Sequence, residues 1–268
     1  MVGLMPPEPF PTSPPSAEPM ALLLAAGLAT RLGSLREKWA KACIPVGGAS
    51  PLAFLLPRLF RAGIRQVWIN LHHMPEQVRE EAQQAAPPGL DLQFLEEERL
   101  FGTGGTLLAV TQRAGRFPDL VINAKLYTDL EFDAILKQPA PLVVLHPESS
   151  LEDFGGLRFN QQRRVTGLRL RGAPRWEAGA AVYMGICRPG EAWLDPLAKA
   201  ARERPQDTLC LIRDGLLPAV EQHRPTKVVL HSGYWYEIST PERIAEADRL
   251  LRLGPRRIPD LLNPRSSN

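Results

Sequence analysis

Residues 21–26 (Ala-Leu-Leu-Leu-Ala-Ala) form a short apolar run that stops at Gly27. A run that is apolar on both faces and ends at a turn residue is the pattern of a strand buried in a parallel sheet. Helical patterns follow it in alternation. Residues 51–62 read as a helix stopped by Gly63, 66–71 as a strand, and 75–86 as a helix opened by proline and closed by Pro87-Pro88-Gly89. Further strands are expected at 91–95, 119–123 and 141–146, with a helix at 104–113. Strand–helix repetition at this spacing predicts an α/β fold, a doubly wound, mostly parallel sheet with helices on both faces.

The second half changes character. Residues 155–160 and 164–170 flank the polar Gln161-Gln162-Arg163 and read as a hairpin, followed by a strand at 178–187. Helices are expected at 191–202 and 207–211, a strand at 226–231 and a closing helix at 241–253. One domain spanning 20–253 is therefore expected, with a small β-rich lobe from Leu151 to about Gly190. Ligands on such sheets gather at the carboxyl ends of the strands. Here those ends lie after Ala26, Leu71, Asn123 and His231.

Composition narrows the function classes. Seven of the 27 prolines fall within residues 1–19, which predicts a disordered extension with Met20 as a plausible alternative start; residues 254–268 read as a loose tail. The net charge is 32 − 29 = +3, spread without long blocks. That is no footprint for nucleic acid, although it suits a site receiving phosphates. Cys43, Cys187 and Cys210 form no CxxC pair, which argues against a disulfide scaffold or a cysteine zinc site. No apolar run approaches ~18–20 residues, so no membrane span is expected. Residues 1–19 lack the basic start and apolar core of a secretory signal, and a cytoplasmic location is the expectation.

The first strand runs into Gly27-Leu28-Ala29-Thr30-Arg31-Leu32-Gly33. A small-residue loop after a buried strand exposes backbone N–H groups that can cradle phosphate oxygens, and Arg31 adds a planar donor fork. A dinucleotide-binding reading fails on spacing, which is G-x-A-x-x-x-G, and on the second strand, which ends in Asn70-Leu71 without an acid for a ribose.

Four segments in order carry a resemblance to the sugar-1-phosphate nucleotidyltransferases. That family has a loop A-A-G-x-G-T-R-L followed by P-K-x-x-x-P-V, and Ala25, Ala26, Gly27, Thr30, Arg31, Leu32, Lys41, Pro45 and Val46 match it. Phe101-Gly102-Thr103-Gly104-Gly105 resembles its L-G-T-G-G segment. Val121-Ile122-Asn123-Ala124-Lys125 stands where it has V-x-N-G-D, and Trp235-Tyr236-Glu237-Ile238-Ser239-Thr240-Pro241-Glu242 where it has W-x-D-I-G-T-P-E.

The resemblance implies a reaction in which a sugar-1-phosphate oxygen attacks the α-phosphorus of a nucleoside triphosphate and pyrophosphate leaves. The cost is crowding of negative oxygens, so catalysis is positioning plus positive charge. By resemblance Arg31 would hold the triphosphate and Lys41 would neutralise the α-phosphate or the sugar phosphate. Ala26, Gly27, Thr30, Gly102, Thr103, Gly104 and Asn123 would line the nucleotide. For the glycine segment a plain helix-capping turn is the competing explanation.

The family holds magnesium with two aspartates, and here those positions are Lys125 and Glu237. Glu237 keeps a ligand's charge one methylene further out. A lysine ammonium ~4 Å from a divalent ion repels it by about 8 kcal/mol at an effective dielectric of ~20, so the usual magnesium site is not expected. Lys125 is expected instead to occupy the metal's place and screen the phosphates itself. Asp129, four residues on, is the alternative source of a carboxylate. Ala29 replaces a loop glycine, Leu170 stands where the family often has a sugar-binding glutamate, and Ser239 replaces a glycine. Glu96-Glu97-Glu98 reads as a solvated turn, and His72-His73, adjacent on a strand, would point to opposite faces.

Two function classes stay open. One is an enzyme forming a nucleoside diphosphate sugar. The other is a degenerate relative that binds nucleotide, sugar nucleotide or a protein partner without turnover.

Overall fold

The computed structural model describes residues 18–147, 149–172 and 177–253. In chain order the strands are β1 (Met20–Leu24), β2 (Gln66–Leu71), β3 (Asp91–Glu96), β4 (Leu120–Asn123), β5 (Leu126–Thr128) and β6 (Leu142–His146). They continue as β7 (Gly156–Phe159), β8 (Val165–Arg169), β9 (Ala180–Arg188), β10 (Lys227–Leu230) and β11 (Trp235–Glu237). The α-helices are α1 (Pro51–Arg61), α2 (Pro75–Ala85), α3 (Gly102–Ala114), α4 (Phe132–Leu136), α5 (Leu151–Phe154), α6 (Glu191–Glu203), α7 (Leu217–Glu221) and α8 (Pro241–Leu253). The fold class is α/β, a mostly parallel mixed sheet with helices on both sides. The expected extension and tail lie outside the described residues, apart from Glu18 and Pro19.

The chain divides into two compact units, each drawn from separate stretches. One contains, of the described residues, Glu18–Arg99, Asn123–Asp133 and 233–253. Its core is the parallel set β1-β2-β3, in which Leu22 stands opposite Trp68 and Trp68 opposite Gln93. Every residue of β1 except Leu24 is buried, as a strand covered on both faces requires. Ser50 caps α1 by accepting the Ala53 N–H, Pro51 sits where a missing donor costs nothing, and Leu52, Leu55, Leu56 and Leu59 form the buried stripe. Arg58 is buried on the same helix; its Nη2 donates to the Leu130 carbonyl at 2.7 Å and its guanidinium lies over the Phe54 and Phe132 rings. The unit also holds a two-stranded antiparallel ribbon, β5 with β11, in which Glu237 is opposite Leu126.

The other unit contains Leu100–Ile122 and Ala134–Ser232. Here the strand order is β10-β6-β9-β4, with β10 parallel to β6 and β9 antiparallel to both β6 and β4. The hairpin expected around Gln161–Arg163 is present as β7 and β8, and β7 also pairs with β9.

The helix expected at 207–211 is absent. Residues 207–210 are non-helical, and the helix starts as a π-turn at Leu211–Leu216 before running into α7. Two bonds set this boundary: a local one, in which Asp214 accepts the Cys210 N–H at 2.6 Å, and a tertiary one, in which Thr103 Oγ1 accepts the Leu211 N–H at 2.9 Å. The tertiary bond has no signature in local sequence. No described helix is long and apolar enough to cross a membrane.

Candidate functional site

The carboxyl ends of β1, β2 and β3 are tied together by two polar side chains. Asn70, buried near the end of β2, accepts the N–H groups of Ala25 and Ala26 on one oxygen, at 2.7 and 3.2 Å. Its amide nitrogen donates to the Glu97 carboxylate at 2.9 Å. Glu97 is 4% exposed, and its own N–H donates to the Leu71 carbonyl. The turn expected at Glu96-Glu97-Glu98 is therefore only partly solvated. Period-two geometry sends Glu96 and Glu98 outward, Glu96 pairing with Arg79, and turns Glu97 inward. Sequence reading missed both Asn70 and Glu97. The usable signal was an amide inside an otherwise apolar strand, next to a strand ending in consecutive acids.

Ala25 and Ala26 thus spend their N–H groups on Asn70, and the exposed part of the loop begins at Gly27. Ala29 adopts φ 54°, ψ 24°, the left-handed conformation that a glycine takes without cost. It is buried, and its carbonyl accepts the Leu32 N–H at 2.9 Å, opening a 3₁₀ helix over Thr30–Glu37. Buried Leu32 anchors that turn, while Thr30 and Arg31 stay exposed.

Lys41 begins a second short 3₁₀ turn, Lys41–Cys43, whose entry is fixed by Gln77: its Oε1 accepts the Ala40 N–H and its Nε2 donates to the Lys38 carbonyl. Burial, then the charges of Lys125 and Arg31, pull the Lys41 ammonium down to about 8, against a smaller opposing pull from Glu237. Arg31, Lys41, Lys125 and Glu237 therefore share one electrostatic neighbourhood. Cys43, two residues on, is buried and its thiol is pushed up to about 12 by burial and by Glu81, so it is not a reactive thiolate.

Asn123 closes β4, and the Ala124 N–H donates to the Leu24 carbonyl at 3.0 Å, seating this turn against the end of β1. The β5–β11 ribbon then sets Lys125 beside Glu237. The Ile238 N–H donates to the Lys125 carbonyl, and Lys125 Nζ lies 2.9 Å from Glu237 Oε1. Arg243 braces the same strand from α8, its Nε donating to the Glu237 carbonyl and its guanidinium lying over Tyr236. Asp129 follows the opposite end of the ribbon, its N–H on the Tyr234 carbonyl. It lies four residues on from Lys125, roughly 13 Å along an extended chain.

Magnesium, which the resemblance implies, does not fit these residues. The Glu237 carboxylate is engaged by an ammonium, and among the described residues no three His, Cys, Asp or Glu side chains group to hold a metal ion. His72 Nδ1 lies 2.7 Å from the Glu97 carbonyl, while His73 Nδ1 is buried without a hydrogen-bond partner among the described residues.

Gly102, Thr103 and Gly104 lie in the other unit, at the start of α3. Gly102 has φ 75°, and a Cβ there would fall 2.4 Å from the Leu209 carbonyl oxygen. The Gly104 N–H donates to that same oxygen at 2.8 Å, and the Leu209 N–H donates to the Phe101 carbonyl. The segment therefore has a packing role of its own, bringing α3 against residues 209–211.

Comparison with known proteins bears on the family. A model of the nucleotidyl transferase family matches residues 20–252. A mannose-1-phosphate guanylyltransferase of Mycobacterium tuberculosis is 28% identical over 116 residues, 43% of this chain and 32% of that protein. An N-acetylmuramate alpha-1-phosphate uridylyltransferase of Neisseria meningitidis is 27% identical over 46% of this chain and 53% of its own length. A bifunctional protein GlmU of Methanococcus aeolicus is 22% identical over 85% of this chain and 53% of its own. The chain thus spans about a third to a half of these relatives. Among solved structures, HddC of Yersinia pseudotuberculosis superposes with a TM-score of 0.66 at 18% identity, covering 86% of this chain and 98% of that one. Its complex with GMP-PN gives 0.64. These likenesses establish the fold. With the family match running from residue 20 to residue 252, the chain belongs to the nucleotidyl transferase family.

Proposed function

We propose that the chain binds a nucleoside triphosphate and a sugar-1-phosphate and joins them into a nucleoside diphosphate sugar. The sugar phosphate oxygen forms the new bond to the α-phosphorus, the α–β bridging bond breaks, and pyrophosphate leaves with the electron pair. The observation that carries this reading is a half-buried Lys41 within electrostatic reach of Arg31 and Lys125; burial first, then those two charges, lowers its ammonium to about 8. Cations gathered at one partly buried place suit an anion.

In this reading Arg31 grips the triphosphate with its planar fork, and Lys41 faces the phosphorus under attack, where negative charge accumulates. The loop from Ala26 through Gly27 to Thr30 carries the triphosphate. Asn123 faces the nucleotide. Lys125 takes the charge-screening part of a metal ligand site, with Glu237 as its counter-ion. No step passes through magnesium.

The Lys125–Glu237 pair favours a second reading, a relative that binds nucleotide or sugar nucleotide, or a protein partner, without turnover. Calorimetric titration with guanine and uracil nucleotides, coupled to pyrophosphate detection across a panel of sugar-1-phosphates, separates the two. Guanine and uracil are first because the relatives include a guanylyltransferase and a uridylyltransferase. Binding with pyrophosphate release supports transfer; binding without release supports the second reading. Absence of binding by every nucleotide overturns the transfer reading and leaves only the protein-partner form of the second.

A further inference from the structure

We propose that Lys125 is a built-in replacement for a divalent cation, so that the site takes its polyphosphate metal-free. The inference rests on the nucleotide-binding reading above and adds which ionic form of the nucleotide is bound.

Position is the first argument. Lys125 and Glu237 stand where the sequence resemblance places two metal-holding aspartates, and the β5–β11 ribbon holds them side by side through the Ile238 N–H bond to the Lys125 carbonyl. The two side chains meet as an ion pair at 2.9 Å. The pair is sheltered, with side-chain exposures of 26% for Lys125 and 11% for Glu237.

Charge is the second argument. Two aspartates and one divalent cation sum to zero; one lysine and one glutamate also sum to zero. The positive excess supplied by Arg31 and Lys41 is therefore the same in both arrangements. The exchange preserves the net charge of the site while removing the need for an ion.

Donor geometry is the third. An ammonium carries three N–H donors, and Glu237 engages one side of it. The remaining donors suit phosphate oxygens, as a compact point charge does at other phosphate sites. A second cation brought in with the nucleotide would meet this ammonium and be repelled.

The test is equilibrium binding of the common ribonucleoside triphosphates and of tripolyphosphate to the full chain, in excess chelator and in millimolar magnesium. It is run on the wild type, Lys125→Met and Lys125→Asp, with thermal melts to establish that each variant folds. The wild type is expected to bind in chelator at least as tightly as in magnesium, within about threefold. Lys125→Met should lose about tenfold or more in chelator without recovery in magnesium, a loss of about 1.4 kcal/mol or more. Lys125→Asp should lose binding in chelator and regain it with magnesium. Wild-type binding that requires magnesium, or a folded Lys125→Met that binds in chelator like the wild type, overturns the inference. Failure of the nucleotide reading has a different signature, namely a folded wild type that binds no probe in either condition, and it removes both claims together.

Discussion

Asn70 donates its side-chain N–H to the buried Glu97 carboxylate at 2.9 Å, and its oxygen meanwhile holds the N–H groups of Ala25 and Ala26. The relay fixes where β1 ends and where the loop toward Arg31 begins. Asn70→Leu fills similar volume but strands two buried donors and removes a hydrogen bond from the carboxylate. Loss of about 2–4 kcal/mol of stability is expected, at 1–3 kcal/mol per stranded buried group. Urea unfolding midpoints measure it, and a loss below about 0.5 kcal/mol would mean the relay is not structural.

Ala29 stands at φ 54° in place of a glycine. The left-handed conformation costs an alanine about 1–2 kcal/mol, while a glycine gives back about 0.4–1 kcal/mol through the freedom of its unfolded chain. Ala29→Gly is therefore expected to stabilise the protein by roughly 0.5 kcal/mol. Chemical denaturation checks the sign, and a clear destabilisation would contradict the backbone account.

Two glycines should behave in opposite ways. Around Gly27 no atom of the described residues, its two chain neighbours aside, lies within 4 Å of an added Cβ, whereas at Gly102 the Leu209 carbonyl oxygen would be 2.4 Å away. Gly27→Ala should leave stability within about 0.5 kcal/mol while weakening triphosphate binding by crowding the loop. Gly102→Ala should cost more than about 2 kcal/mol through backbone displacement and strain at positive φ. Paired melts and titrations read both effects. Equal stability losses would undo the distinction between a loop glycine and a packing glycine.

Lys41 gives a pH dependence with a fixed sign. Its folded value is lowered from 10.5 to about 8 by burial, then by Lys125 and Arg31, against a smaller pull from Glu237. Between about 8 and 10.5 the unfolded chain holds a proton that the folded one has released, so this group makes stability rise with pH across that window. Below about 8 both states are protonated and the contribution is flat. Triphosphate binding needs the charged form, so affinity should fall as pH rises past about 8. Titrations from pH 7 to 9 test this, and affinity that rises over the same interval would contradict it.

How much of this was legible in the sequence follows from what local patterns can encode. β1 and β2 are runs buried by their own apolar content, β3 alternates at a more exposed position, and the positions of all three agree with expectation to within about two residues. The β5–β11 ribbon was not legible as structure. Each strand is three residues long, and the pairing joins segments more than a hundred residues apart. The helix start at Leu211 depends on Thr103, far away in sequence, so propensity could not place it. Arg31, Lys41, Lys125 and Glu237 stand out in the sequence because each stands in, or departs from, a motif. Asn70 and Glu97 belong to no motif that was read; only the strand ends brought together in three dimensions expose their connection.

The central claim is that Lys41, crowded by Arg31 and Lys125, exists to hold a polyphosphate. Lys41→Met tests it most directly, measured as triphosphate affinity alongside the unfolding midpoint. Removing a half-buried cation repelled by its neighbours should leave stability unchanged or raised, while affinity falls by about tenfold to a hundredfold, the worth of one charge-assisted contact. A variant that binds triphosphate as tightly as the wild type, or that loses stability together with affinity, would contradict the account.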